Sequence, residues 1–80
     1  MKAIETWQRG RNRMFATDLD GNSIAIDRDD KLTMEENCAD AAKALCVKMG
    51  WHGMLVGGHT GKGMVWVWAD HLHPLNYFKV

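Results

Sequence analysis

Eighty residues whose ten basic and ten acidic side chains balance to zero formal charge describe one domain, near the size at which burial only just outweighs chain entropy. The neutral balance speaks against a DNA mimic with a large negative surface and against a generic basic coat for nucleic acid, so charge must act in local clusters. The first residues, Met1-Lys2-Ala3-Ile4-Glu5-Thr6-Trp7, lack the apolar core of a secretory signal, and no run is long enough to span a bilayer. A soluble cytoplasmic chain is expected.

In chain order, alternation predicts strands over Lys2–Arg9, Arg13–Thr17 and Ser23–Ile26, separated by turns at Gly10-Arg11-Asn12 and Asp18-Leu19-Asp20-Gly21-Asn22. Thr33-Met34-Glu35-Glu36 is a capping box that opens a helix, in which the Thr33 hydroxyl and the Glu36 carboxylate each accept the other residue's amide. Cys38, Ala41, Ala42, Leu45, Cys46 and Met49 then recur at helical spacing, and Gly50 supplies the left-handed residue that ends the helix. Small residues on that face let the helix lie close to a sheet and leave room for tryptophan beneath it. Cys38 and Cys46 would be about 12 Å apart along the helix, beyond disulfide reach, and read as buried thiols.

Two more strands follow, Met54–His59 and Met64–Trp68, joined by the glycine-rich turn Thr60-Gly61-Lys62-Gly63. Asp70 and Pro74 close the second of them, and Tyr77-Phe78-Lys79-Val80 has the composition of a short edge strand. The expected fold is α+β: an antiparallel sheet of four to five strands with one helix packed on one face, in a single domain. Met64-Val65-Trp66-Val67-Trp68 carries large apolar side chains on both faces, yet a single helix covers only one face of a sheet. The uncovered face calls for a partner, or a second copy of the chain.

Several segments imitate catalytic or ligand-binding motifs. Phe15-Ala16-Thr17-Asp18-Leu19-Asp20-Gly21-Asn22 resembles the first motif of haloacid-dehalogenase-type phosphatases, but that family needs a parallel sheet with crossover helices for which this chain is too short. A hairpin turn explains the same residues. As a calcium loop the segment has its glycine misplaced and lacks the bidentate glutamate. Gly57-Gly58-His59-Thr60-Gly61-Lys62-Gly63 fails as a phosphate-binding loop at both ends, with Val56 and Gly63 where glycine and a hydroxyl residue are required. His52, His59, His71 and His73 lack the paired spacing of a zinc site. The expectation is therefore no enzyme, no cofactor and no metal.

The strongest polar feature is Arg9-Gly10-Arg11-Asn12-Arg13, three guanidiniums around one hairpin tip, suited to bidentate contact with phosphates or carboxylates. Asp27, Asp29, Asp30, Glu35 and Glu36 form an opposing acidic stretch at the helix start. The alanine-rich helix, Cys46, Met49, Trp51, His52-Gly53, the strand and turn after it and the strand around Trp66 resemble a small phage-encoded anti-CRISPR protein of type I systems. That resemblance implies a non-enzymatic inhibitor that docks on a Cascade-type surveillance complex and blocks target DNA. The expected partner surface combines Arg9, Arg11, Arg13 and Lys62 with Trp66 and Trp68. Two other classes stay open. One is a small nucleic-acid-binding module with the same cations on phosphates and tryptophan stacked on bases; the other is a homodimeric phage accessory or host-takeover protein. The cap is directly testable: Thr33→Ala is expected to lower stability by about 1 kcal/mol in chemical denaturation.

Overall fold

The computed structural model describes residues 3–69 and 77–80. The expected strand end at Asp70 and Pro74, and the His71 and His73 pair, lie outside these residues. The chain runs β1 (Ile4–Arg9), β2 (Arg13–Thr17), β3 (Ser23–Asp27), α1 (Met34–Met49), β4 (Met54–His59), β5 (Met64–Ala69) and β6 (Tyr77–Lys79). The class is α+β, but the sheet has six strands rather than four or five, in the order β3-β2-β1-β5-β4-β6 with every pairing antiparallel. The added edge strand is the tail. Val80 and Gly53 exchange backbone hydrogen bonds of 2.8 and 3.0 Å, and Phe78 turns inward against Trp66, ring centroids 5.1 Å apart.

Both capping-box bonds form: the Glu36 amide donates to Thr33 Oγ1 at 3.2 Å and the Thr33 amide donates to Glu36 Oε1 at 2.9 Å. Gly50 ends the helix in the left-handed region at φ 73°. The buried stripe is Cys38, Ala41, Ala42, Leu45 and Cys46, together with Asn37. Asn37 is a buried amide with a structural task. Its Nδ2 donates to the Asp29 carbonyl at 2.9 Å and its Oδ1 accepts from the Asp29 amide at 2.8 Å, which ties the loop after β3 to the first turn of the helix.

The helix lies on β1, β2 and β3 and reaches β5 and β6 only at its margin. Over the β5-β4-β6 half, aromatic side chains take the place of a second helix. Trp66 meets Phe78, and Trp68 meets Trp51 edge-on at 5.7 Å, geometries that suit the ring quadrupoles. Trp66 can lie flat on the sheet because the residue opposite it on β4 is Gly57. A Cβ there would stand 2.5 Å from the indole.

The Trp66 indole N–H, buried with the ring at 1% exposure, donates to Thr6 Oγ1 at 3.0 Å, and that hydroxyl donates onward to the Met64 carbonyl at 3.3 Å. Every polar atom of this buried chain is thereby satisfied. Thr6→Val keeps the shape and orphans the indole N–H, so it is expected to lower unfolding free energy by about 1–3 kcal/mol. Urea denaturation with an unchanged m-value checks this.

Candidate functional site

Side-chain alternation sends Ile4, Thr6, Met14, Ala16, Leu55, Met64 and Trp66 toward the helix, where all are buried. Trp66 and Trp68 therefore belong to the helix side. With Trp66 at 1% exposure and Trp68 half-buried, its indole N–H on the His52 carbonyl at 3.1 Å, their place in the expected partner surface is withdrawn. The opposite face carries the other set: Trp7 and Arg9 on β1, Arg13 and Phe15 on β2, Val65 and Val67 on β5, and Met54 and Val56 on β4.

On that helix-free face Trp7 and Phe15 stand directly opposite in the β1–β2 register, ring centroids 4.9 Å apart. The Arg9 guanidinium lies 5.0 Å from the Phe15 centroid and the Lys62 ammonium 4.5 Å from that of Trp7. Each cation sits within range of the electron-rich ring face. Lys62 reaches Trp7 because β5 pairs antiparallel to β1, which brings the β4–β5 turn to the same end of the sheet as the arginine hairpin. Gly63 permits that approach. A Cβ on it would fall 2.0 Å from the Thr6 carbonyl.

Arg9 and Arg13 also stand directly opposite, an arrangement that repels. Arg13 is drawn aside to Asp27 on β3 at 3.6 Å, and Arg9 to the Phe15 ring. Arg11 is exposed at the tip, whose carbonyls at Gly10 and Arg11 accept from Gln8 Nε2 at 2.9 and 3.4 Å. The four cations named from the sequence thus gather at one end of one face. Toward the other end of the same face, Val67 and Val56 stand opposite each other across β5 and β4, with Val67 45% exposed.

Trp7 and Phe15 were not legible as site residues because strand sequence gives parity but not which parity is covered. The available signal was the bulk opposite small partners: Thr6 and Ala16 face the helix while Trp7 and Phe15 face away.

The remaining candidates have local tasks. Asp18 accepts from the amides of Asp20 and Asn22 at 2.8 and 3.1 Å and from Asn22 Nδ2 at 2.7 Å, building the β2–β3 turn. The acidic stretch is divided among neighbours: Asp27 on Arg13, Asp29 on the Lys31 amide, Asp30 on Arg28, Glu36 in the cap, and Glu35 3.5 Å from His59 Nε2. Among the described residues no three His, Cys, Asp or Glu side chains cluster as metal ligands, and no helix is long and apolar enough to cross a membrane. Burial raises both thiols, Cys38 and Cys46, the latter to about 11. Comparison with protein-family models, curated proteins and solved structures finds no match to this chain.

Asp18 is held below the ordinary carboxylate range, first by the hydrogen bond from the Asn22 side chain, against the opposing effect of burial, and further by the Asp20 and Asn22 amides. A depressed folded-state value contributes stability above the ordinary value, and that contribution is lost as pH falls through the folded-state one. The stability margin of the native chain over Asp18→Asn is therefore expected to be full near neutrality and to shrink from about pH 4 downward. Urea titrations across that range read it directly; a margin independent of pH would deny the carboxylate its role as an anion.

Proposed function

We propose that this protein is a non-enzymatic inhibitor that works by occupancy, docking the helix-free face of its sheet on an acidic and partly apolar protein surface. The reading rests on one observation: the Trp7–Phe15 pair flanked by Arg9 and Lys62 shares the helix-free face with the apolar pair Val67 and Val56. Aromatic and arginine side chains anchor protein interfaces because they desolvate large areas while keeping directional contacts. The repulsion between Arg9 and Arg13 adds to this, since carboxylates of a partner would relieve it.

The partner best matched to the sequence resemblance is a Cascade-type CRISPR surveillance complex, whose access to target DNA the bound protein would block. Nucleic acid is the weaker fit for the same face. Cations and rings suit a single strand, but the valine pair gives phosphates and sugars nothing to bury against, and the chain carries no net positive charge.

Two variants test the reading. Arg11→Glu combined with Arg13→Glu is expected to weaken binding to a purified type I surveillance complex by roughly tenfold or more, with little change in melting temperature because the tip is exposed. Trp7→Ala should cost binding at least as much. Target-DNA binding by the complex, titrated with each variant, supplies the readout. Undiminished inhibition by both variants would remove this face from the mechanism. Tight, steeply salt-dependent binding of the free protein to single-stranded DNA or RNA would instead assign the face to nucleic acid.

A further inference from the structure

The sheet ends at β3, and among the described residues no strand pairs with its outer edge. Hydrogen bonds from the Arg28 amide to the Asn12 carbonyl and from the Asp18 amide to the Asn22 carbonyl bracket the β2–β3 ladder. Bonded pairs alternate along an antiparallel ladder, so Ile24 and Ile26 direct their backbone groups to β2, while Ser23, Ala25 and Asp27 direct theirs outward. Among the described residues, the one side-chain bond on these carbonyls is from Lys48 Nζ to Ser23 at 2.9 Å. Edge strands are usually protected by lysine, proline or a bulge, and Ser23–Asp27 contains none of these. Above the edge, between α1 and β3, lies an open groove of about 500 Å³ lined by Ile24, Asp40, Lys43, Ala44, Val47 and Lys48. Val47 is 67% exposed there.

We infer that β3 pairs with β3 of a second copy of this chain about a twofold axis at Ala25, joining two sheets edge to edge with both helices on one side. The sequence is self-complementary about that axis. Ala25 would meet Ala25 of the second copy through outward backbone groups, and Ser23 would meet Asp27, a hydroxyl beside a carboxylate. On the helix side Ile24 would meet Ile26.

The helix obeys the same symmetry. It runs antiparallel to β3, since Lys48 reaches Ser23 at one end while Asn37 holds Asp29 at the other. Four helical residues rise about 6 Å and two strand residues about 6.6 Å, so Lys48, Ala44 and Asp40 keep step with Ser23, Ala25 and Asp27. The twofold that pairs Ser23 with Asp27 therefore sets Lys48 against Asp40 of the second copy, opposite charges on both sides of the axis. The helices, seated over β2, would stand roughly three strand spacings or 14 Å apart. That exceeds direct helix contact, and Val47 and Lys43 fill the interval.

Sedimentation equilibrium of the full chain is expected to give a species of twice the chain mass at about 0.5 mM and its dissociation on dilution. Ala25→Pro removes an outward N–H that the β2–β3 ladder does not use, and should weaken association by roughly tenfold or more with the circular dichroism spectrum retained. Lys48→Asp should weaken it by bringing carboxylates together, and adding Asp40→Lys should restore it, a rescue that loss of folding cannot imitate. A native chain that stays monomeric at about 0.5 mM overturns the inference. So does a dimer indifferent to Ala25→Pro and to Lys48→Asp, which would place the contact on the helix-free face, or growth into open-ended assemblies.

Discussion

The hydrogen bond from the Trp66 indole to the Thr6 hydroxyl organises this fold. It joins β5 to β1, the two strands at which the N-terminal and C-terminal halves of the sheet meet. A buried tryptophan without a partner for its N–H would be a liability. Thr6 supplies that partner and is itself satisfied by the Met64 carbonyl, so the largest side chain of the core enters it with no unpaired polar atom. Around this point the other packing choices fall into place: Gly57 gives the ring a flat floor, Phe78 meets it edge-on, and small residues on α1 let the helix sit low beside it.

Concentrating the bulk of the core in Trp66, Trp68, Trp51 and Phe78 lets one helix serve a six-stranded sheet. Among the described residues no helix covers the other face. Its aromatic corner and valine pair follow from this economy of chain length, because a strand of alternating large side chains has to present one set to solvent or to another molecule. The opposed arginines at the hairpin tip add charge at the end of that face, close to where Lys62 is delivered by the β4–β5 turn.

Much of this could be read in advance where local chemistry decides the outcome. The Thr33 capping box, the Gly50 terminus and the small-residue stripe from Cys38 to Met49 specify α1 at its observed limits. The turns of the three hairpins follow from glycine, asparagine and aspartate at their bends. Facing was legible only as an alternative: Met64, Trp66 and Trp68 share a side, but nothing local says whether the helix takes that side or the valines. The choice depends on Gly57, across the β4–β5 hairpin, and on Thr6, sixty residues from Trp66 and matched to it only after β1 pairs with β5. For the same reason Trp7 and Phe15, the centre of the candidate surface, read as ordinary strand residues. Asn37 escaped notice because its role lies in the loop it binds.

The seam between β1 and β5 consists of three registered pairs, Ile4 with Trp66, Glu5 with Val65 and Thr6 with Met64. On one side of it lies a meander of three consecutive strands, on the other the hairpin of β4 and β5 with the tail beside it. The meander and the β4–β5 hairpin close over short turns, at an entropic cost of roughly 1 kcal/mol per hairpin loop, whereas the seam joins segments about sixty residues apart, where the same scaling gives roughly 3.5 kcal/mol. Local parts form before distant ones when closure costs differ in this way. Folding of this chain is thus a matter of two ready-made pieces finding each other, and whether the sheet behaves as one cooperative unit or two is decided along three residue pairs.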